Sequence, residues 1–376
     1  MSKQRSANAS YYRGGTSRAV IFQPKDLPKD RSQWGKIFLQ VIGSPDPNGR
    51  QLDGMGGGVS SLSKICIVGP SNHPEADVDY TFVAMGIERD EVDFTGNCGN
   101  MSSAIGPYAL NQGLLGTKKY ESNGTAEVRI HNTNTGVIIR NTFQTVDGEA
   151  AVQGDFTIDG VGGSGARIQL DFLKPGGSKT GKLLPTGNAI DTILGFEVSC
   201  VDAANPAIFV RAEDLGVDPT ILPNDFLKLP DKLALLDDIR HHGAVKMGVA
   251  KDIESCPRTI PKVAIVAPRG DQKVLSGKTV PGSELDLVVR FISDTQPHRA
   301  IPLTGALCTA AAAKTEGTVV QQCLKAPLVD DDMITIGHSS GRIQVNAQVD
   351  EKGDIESATV FRTARRIMEG KVFWNE

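Results

Sequence analysis

A cysteine set among glycines and asparagines, in Phe94-Thr-Gly-Asn-Cys-Gly-Asn-Met-Ser-Ser103, is the residue best placed for chemistry. Gly96 and Gly99 free the backbone to turn its N–H groups toward a ligand. The apolar run 78–85 predicts a strand leading in, and 102–110 predicts a helix leading out, whose positive end favours an anion. The same field favours a thiolate at Cys98, the form that removes a proton or attacks an electrophile. The plain alternative is a small buried hydrophobe. Lys64 stands just before the apolar run Ile65-Cys66-Ile67-Val68, so its amine either borders a partly dry pocket or reaches water. In Tyr12-Arg-Gly-Gly-Thr-Ser-Arg18, guanidinium forks and hydroxyls beside an open backbone suit carboxylates, or else form an ordinary surface turn.

Composition narrows what such groups act on. The chain has 376 residues, 39% hydrophobic and only 5% aromatic, with 41 glycines and 20 prolines, which predicts a strand-rich protein of about two domains with many small-residue turns. A formal charge of −4 gives no electrostatic case for nucleic acid or an anionic membrane, so an anionic substrate needs a local cationic pocket. The dispersed cysteines, with no Cys-x-x-Cys pair, predict free thiols in a reducing compartment. No apolar core of a signal peptide and no run of about eighteen apolar residues is found, so the expected location is cytoplasmic.

Other patterns are weaker. The histidines lack metal-ligand spacing, and adjacent His241 and His242 cannot share a helix face, so no metal is expected. Gly176-Gly-Ser-Lys-Thr-Gly-Lys-Leu183 imitates a phosphate loop, but leucine stands where a magnesium-binding hydroxyl is needed and Pro185 stops the required helix. It reads as a loop between domains. Residues 31–43 predict a helix with Trp34, Ile37, Phe38 and Val41 on one face, and 224–250 predicts another with a stripe of Leu227, Leu229, Leu233, Leu236 and Ile239.

The chain also matches itself. Residues 19–27 match 207–215, 63–70 match 261–268, and the strand–turn–helix around Cys98 matches 285–292 followed by 304–313. Three matches in one order predict two copies of one unit. Two such copies facing a common cleft would aim two helix starts at one ligand. A small polycarboxylate suits those donors, and so does an enolate-like transition state.

Tyr12–Arg18, Asp53-Gly-Met-Gly-Gly-Gly58, Ser63-Lys64, Gly96-Asn-Cys-Gly-Asn100 and Leu303-Thr-Gly-Ala306 together resemble the PrpF family, over nearly the whole chain. The resemblance implies an α+β, diaminopimelate-epimerase-like fold of two pseudo-symmetric β-rich domains, each wrapped around a central helix, with the active site in the cleft between them. The expected domains are 1–187, to which a tail at 366–376 returns, and 188–365. The implied function is a cofactor-independent isomerase, without metal, that shifts a proton on an aconitate-like unsaturated tricarboxylate by double-bond migration or cis/trans isomerisation. Aconitate and 2-methylaconitate are the leading substrates; which acid, and in which direction, stays open.

In that family a lysine and a cysteine are implicated in the active site, and they fall on Lys64 and Cys98; which is the primary base also stays open. Ser17, Arg18, Ser60 and Thr304 are candidate carboxylate contacts, with Gly57, Asn97, Gly99, Asn100 and Gly305 beside them. Each hydroxyl or guanidinium has an alternative role in a turn or cap. Racemases of the fold use one cysteine from each half. Here the second-half position is Pro302, with Cys308 about a turn inside the helix, so a two-thiol racemase is not expected. The competing expectations are a non-catalytic carboxylate-binding helper of an iron–sulfur aconitase-type hydratase and, after it, a 4-oxalomesaconate tautomerase. The expected partner is a small polycarboxylate, with no nucleic acid and no membrane; a homodimer is compatible.

Overall fold

The structure, a computed structural model, describes residues 3–375 apart from 119, 294, 332, 352 and 353. It divides into two compact units, Met1–Leu170 with Arg362–Glu376, and Asp171–Phe361.

In the first unit the main strands before the C-terminal segment are β1 (Arg5–Gly14), β2 (Ser17–Phe22), β3 (Lys64–Pro70), β4 (Val78–Met85), β5 (Gly124–Asn132) and β6 (Ile138–Val146). Successive pairings are antiparallel, parallel, antiparallel, parallel and antiparallel, with Ile21 opposite Cys66 and Cys66 opposite Phe82. Because side chains alternate across a strand, Val20, Phe22, Ile65 and Ile67 share one face. That face is covered by helix α1 (Trp34–Ile42) through Trp34, Ile37, Phe38 and Val41, the stripe expected from the sequence. The opposite face receives helix α2 (Gly99–Asn111), which is buried on nearly all sides. Its Gly99, Ser102, Ser103, Ala104 and Gly106 are small, which lets strands approach the helix closely. Gly106 shows the limit, since a Cβ there would lie 2.8 Å from the Phe143 ring on β6.

The second unit repeats the plan. Strands β7 (Phe196–Ala203), β8 (Asn205–Arg211), β9 (Lys262–Pro268), β10 (Leu287–Ser293), β11 (Ile334–His338) and β12 (Gly341–Val349) pair in the same alternation of antiparallel and parallel. Helix α3 (Pro230–Lys246) is packed on the side held by Ile208, Val210, Val263 and Ile265. Helix α4 (Leu303–Lys314) falls between β10 and β11, as α2 falls between β4 and β5. The repeated order of strands and helices gives the internal sequence matches a structural meaning. The last strand, β13 (Ala364–Trp374), runs antiparallel to β1, from Arg5 opposite Trp374 to Gly14 opposite Ala364, so it belongs to the first unit.

Two local expectations need correction. The stripe assigned to 224–250 is broken, because Pro230 starts α3 and leaves Leu227 and Leu229 ahead of it and exposed to solvent, while Leu236 and Ile239 are buried. The glycine cluster 176–183 is indeed a loop, but it is folded inside the second unit around an anion of its own. Ser178 Oγ, the Lys179 and Thr180 N–H groups and Thr180 Oγ1 all donate to the carboxylate of buried Asp202 at 2.7–2.9 Å. The turn that imitates a phosphate cradle is a carboxylate cradle already filled.

Candidate active site

Cys98 caps α2 with extended backbone, φ −116° and ψ 92°, so the chain turns into the helix at the thiol itself. The tip of the β1–β2 hairpin lies against this first helical turn. A Cβ on Gly14 would sit 2.6 Å from the Asn100 carbonyl oxygen, and one on Gly15 would sit 2.2 Å from Asn100 Oδ1. Gly15 also has φ +53°, a conformation that glycine adopts without strain. The close approach brings Ser17, the first residue of β2, to the thiol, whose S–H donates to Ser17 Oγ at 3.7 Å. On another side Arg362 Nε donates to Asn100 Oδ1 at 3.1 Å. Arg362 is buried, and burial pulls its pKa down to about 9.

Lys64 and Cys66 project from the same face of β3 by strand alternation. The Lys64 ammonium lies over the ring of Phe82, 5.0 Å from its centroid, in cation–π geometry. Burial drives the Cys66 thiol far above its ordinary pKa; Cys98 adds to that rise and Lys64 opposes it. Cys66 itself stays a neutral, unreactive thiol. The Tyr80 hydroxyl, kept protonated by burial, accepts weakly from Cys66 Sγ at 4.0 Å and donates to the Cys98 carbonyl at 3.2 Å. Ser17, Lys64 and Cys98 thus gather on the α2 side of the sheet, beside the Gly99 and Asn100 N–H groups that a helix start leaves without intrahelical partners.

Asn97 immediately precedes Cys98 in the chain. It is buried, its Oδ1 accepts from Asn132 Nδ2 at 3.0 Å, and its own Nδ2 has no partner. Arg18 does not join the gathering at the thiol through Ser17, because adjacent strand residues point to opposite faces. Its guanidinium lies 5.6 Å from the Tyr11 ring centroid, with Nη2 3.2 Å from where a Cβ on Gly57 would be, and Nε is buried without a partner. Arg18 and Gly57 form a second small cluster. Ser60 is exposed in the turn Ser60–Leu62.

Thr304 and Gly305 belong to the second unit. Thr304 is buried and its Oγ1 accepts from Asn205 Nδ2 at 3.2 Å, a hairpin-to-helix contact placed as Ser17–Cys98 is in the first unit. Gly305 is a packing glycine, since a Cβ would meet the Phe291 ring at 2.8 Å. Pro302 caps α4 as Cys98 caps α2. Cys308 donates to the Val201 carbonyl at 3.5 Å, and burial raises its pKa beyond use at neutral pH. The start of α4 therefore offers hydroxyl and backbone donors but no reactive thiol.

Sequence reasoning missed Cys66, Tyr80, Asn132 and Arg362. The two-residue spacing from Lys64 could have flagged Cys66. Nothing local marks Arg362, which lies 262 residues from Asn100 in sequence. Among the described residues no group of three or more His, Cys, Asp or Glu side chains could hold a metal, and no helix is long and apolar enough to cross a membrane.

Residues 4–375 match the model of the PrpF protein family. The chain is 40% identical to a 3-methylitaconate isomerase of Eubacterium barkeri, covering 99% of this chain and 98% of that protein. It is 38% identical to a 2-methyl-aconitate isomerase of Cupriavidus necator, covering 97% and 96%. A crystal structure of methylitaconate-delta-isomerase superposes with TM-score 0.82 at 39% identity, over 99% of this chain and 96% of that one. A hydroxyproline epimerase from Agrobacterium vitis, at 12% identity and TM-score 0.58 over 100% and 95%, shares the fold.

Proposed function

Because this chain belongs to the PrpF protein family, we propose that it is a cofactor-independent isomerase that shifts a proton along an unsaturated, aconitate-like polycarboxylate. The observation that carries this reading is that Lys64 shares a strand face with Cys66, which Tyr80 bridges to the Cys98 carbonyl at the start of α2, in a chain similar from end to end to methylitaconate and methylaconitate isomerases.

The reaction begins with loss of a proton from a carbon next to both a carboxylate and a double bond. The charge spreads over three carbons and the carboxylate, and a proton returns two carbons away or on the other side of the rotated bond. The first-turn N–H groups of α2 and the cationic side chains hold the developing negative charge. We assign Lys64 the direct proton-transfer role and Cys98 the partner role across the substrate. Pro302 in place of a second capping cysteine disfavours a two-thiol racemase. The dispersed free thiols support a cytoplasmic location, and a homodimer is proposed with it.

The test is to incubate the purified protein with cis-aconitate, 2-methylaconitate, methylitaconate and oxalomesaconate in deuterated water and follow the proton spectra. We expect deuterium incorporation and a new isomer for one of these acids, reduced about 100-fold or more in Lys64→Ala and in Cys98→Ala. Undiminished turnover in both variants removes the site assignment. No turnover of any acid removes the substrate class.

A further inference from the structure

We propose that Asn132 locks the side-chain amide of Asn97 so that its Nδ2–H donates to a carboxylate oxygen of the substrate beside Cys98. Asn97 is then a binding residue and Asn132 a positioning residue. This rests on the isomerase reading.

The argument starts at a group whose role is fixed. The Thr135 backbone N–H, which can only donate, points at Asn132 Oδ1 at 3.0 Å, and Thr135 Oγ1 donates to the same oxygen at 2.9 Å. Asn132 must therefore present its NH2 on the other side, where it meets Asn97 at 3.0 Å. The atom of Asn97 that receives this N–H is Oδ1, so its Nδ2 is turned away as a donor. Asn132 is fully buried and Asn97 is 9% exposed. Asn97 Nδ2 is nonetheless without a partner, which is costly for a buried donor and unusual in a folded protein.

That donor belongs to the residue immediately before the thiol, at a helix end that already favours an anion. A carboxylate placed there takes the orphaned N–H together with the first-turn backbone donors. The amide is neutral, so it orients the oxygen without competing with Lys64 for charge. The Asn132–Thr135 turn closes the β5–β6 hairpin, which makes the orientation part of the fold and independent of ligand.

Three variants separate donor from scaffold. Asn97→Asp keeps an oxygen to accept from Asn132, and so keeps the structural bond, while it exchanges the presented donor for an acceptor. Asn97→Leu removes the donor without adding charge. Asn132→Asp still accepts from Thr135 but now accepts from Asn97 Nδ2 as well, which turns Oδ1 toward the substrate. With the acid turned over by the wild-type chain, we expect KM to rise about 10- to 100-fold in each, with a smaller change in kcat, and Asn132→Asp to add little on an Asn97→Leu background. Urea unfolding checks that each variant is folded. In the wild-type chain, needing no variant, the ¹⁵N side-chain amide signal of Asn97 should move when that acid is added to saturation. An unmoved signal, or an Asn97→Asp enzyme with KM within about twofold of wild type, overturns the proposal. A wild-type chain that neither binds nor converts any of the four acids overturns the isomerase reading and this assignment together, whereas normal wild-type turnover with unchanged variants overturns this assignment alone.

Discussion

The Cys98 S–H donates to Ser17 Oγ at 3.7 Å, and that contact joins the tip of the β1–β2 hairpin to the start of α2. At this length it is a weak bond, so it positions the sulfur more than it stabilises the chain. Ser17→Ala should lower kcat about tenfold while the urea-unfolding free energy changes by less than ~1 kcal/mol. Steady-state kinetics and urea titration check the two halves of this statement. A large loss of stability with normal kcat would contradict it.

Gly15 is required by its neighbours as well as by its backbone. Gly15→Ala adds a Cβ 2.2 Å from Asn100 Oδ1 at φ +53°. The left-handed conformation alone costs about 1 kcal/mol, and the clash adds to it, so we expect a loss of roughly 2–3 kcal/mol. Activity should fall too, because the residue displaced is in the first turn of α2. Chemical denaturation of the purified variant measures the first effect.

Asp202 anchors the loop 176–183 through several donors. Asp202→Ala strands those donors and should cost about 3 kcal/mol. The measurable sign is tryptic cleavage after Lys179 or Lys182 under conditions in which the wild-type loop survives. The same filled cradle predicts that ATP does not raise the melting temperature of the wild-type chain.

Alkaline stability follows from buried thiols and phenols. Burial raises Tyr12 to about 12, Cys200 to about 12 and Cys323 to about 11, and pushes Cys66, Cys308, Tyr80 and Tyr108 well up. These groups keep their protons in the folded chain at pH values where unfolded thiols, near ~8.5, and phenols, near ~10, release them. The folded state then binds more protons. Their contribution is therefore fully present below about pH 8 and is lost as pH rises through 9 to 12. Arg362, at about 9, and Arg290, at about 10, act in the opposite sense over the same range, but they are fewer. A series of urea midpoints should be level from about pH 6 to 8 and decline above about 9. A midpoint that holds to about pH 11 would refute this account.

Much of this was legible in the sequence where one residue dictates local geometry. The strand 78–85, the helix after Cys98 and the buried face of α1 followed from period and small-residue turns, and the repeat was visible because apolar strands recur in order. What the sequence did not disclose depends on distant partners. Arg18 and Ser17 read as a pair, but a strand turns neighbours apart. Leu227 and Leu229 read as core until Pro230 is seen to set the start of α3. Arg362 and Asn132 carry no motif, and each reaches a residue far along the chain.

The pairing of β1 with β13 bears on synthesis. β1 precedes the second unit in the chain, and its partner strand follows that unit. Every residue of the second unit, 171–361, is therefore made before the strand that completes the first. The half that carries Lys64 and Cys98 thus waits for the other to be made, and until β13 is added its open sheet margin is exposed to mispairing with other nascent chains.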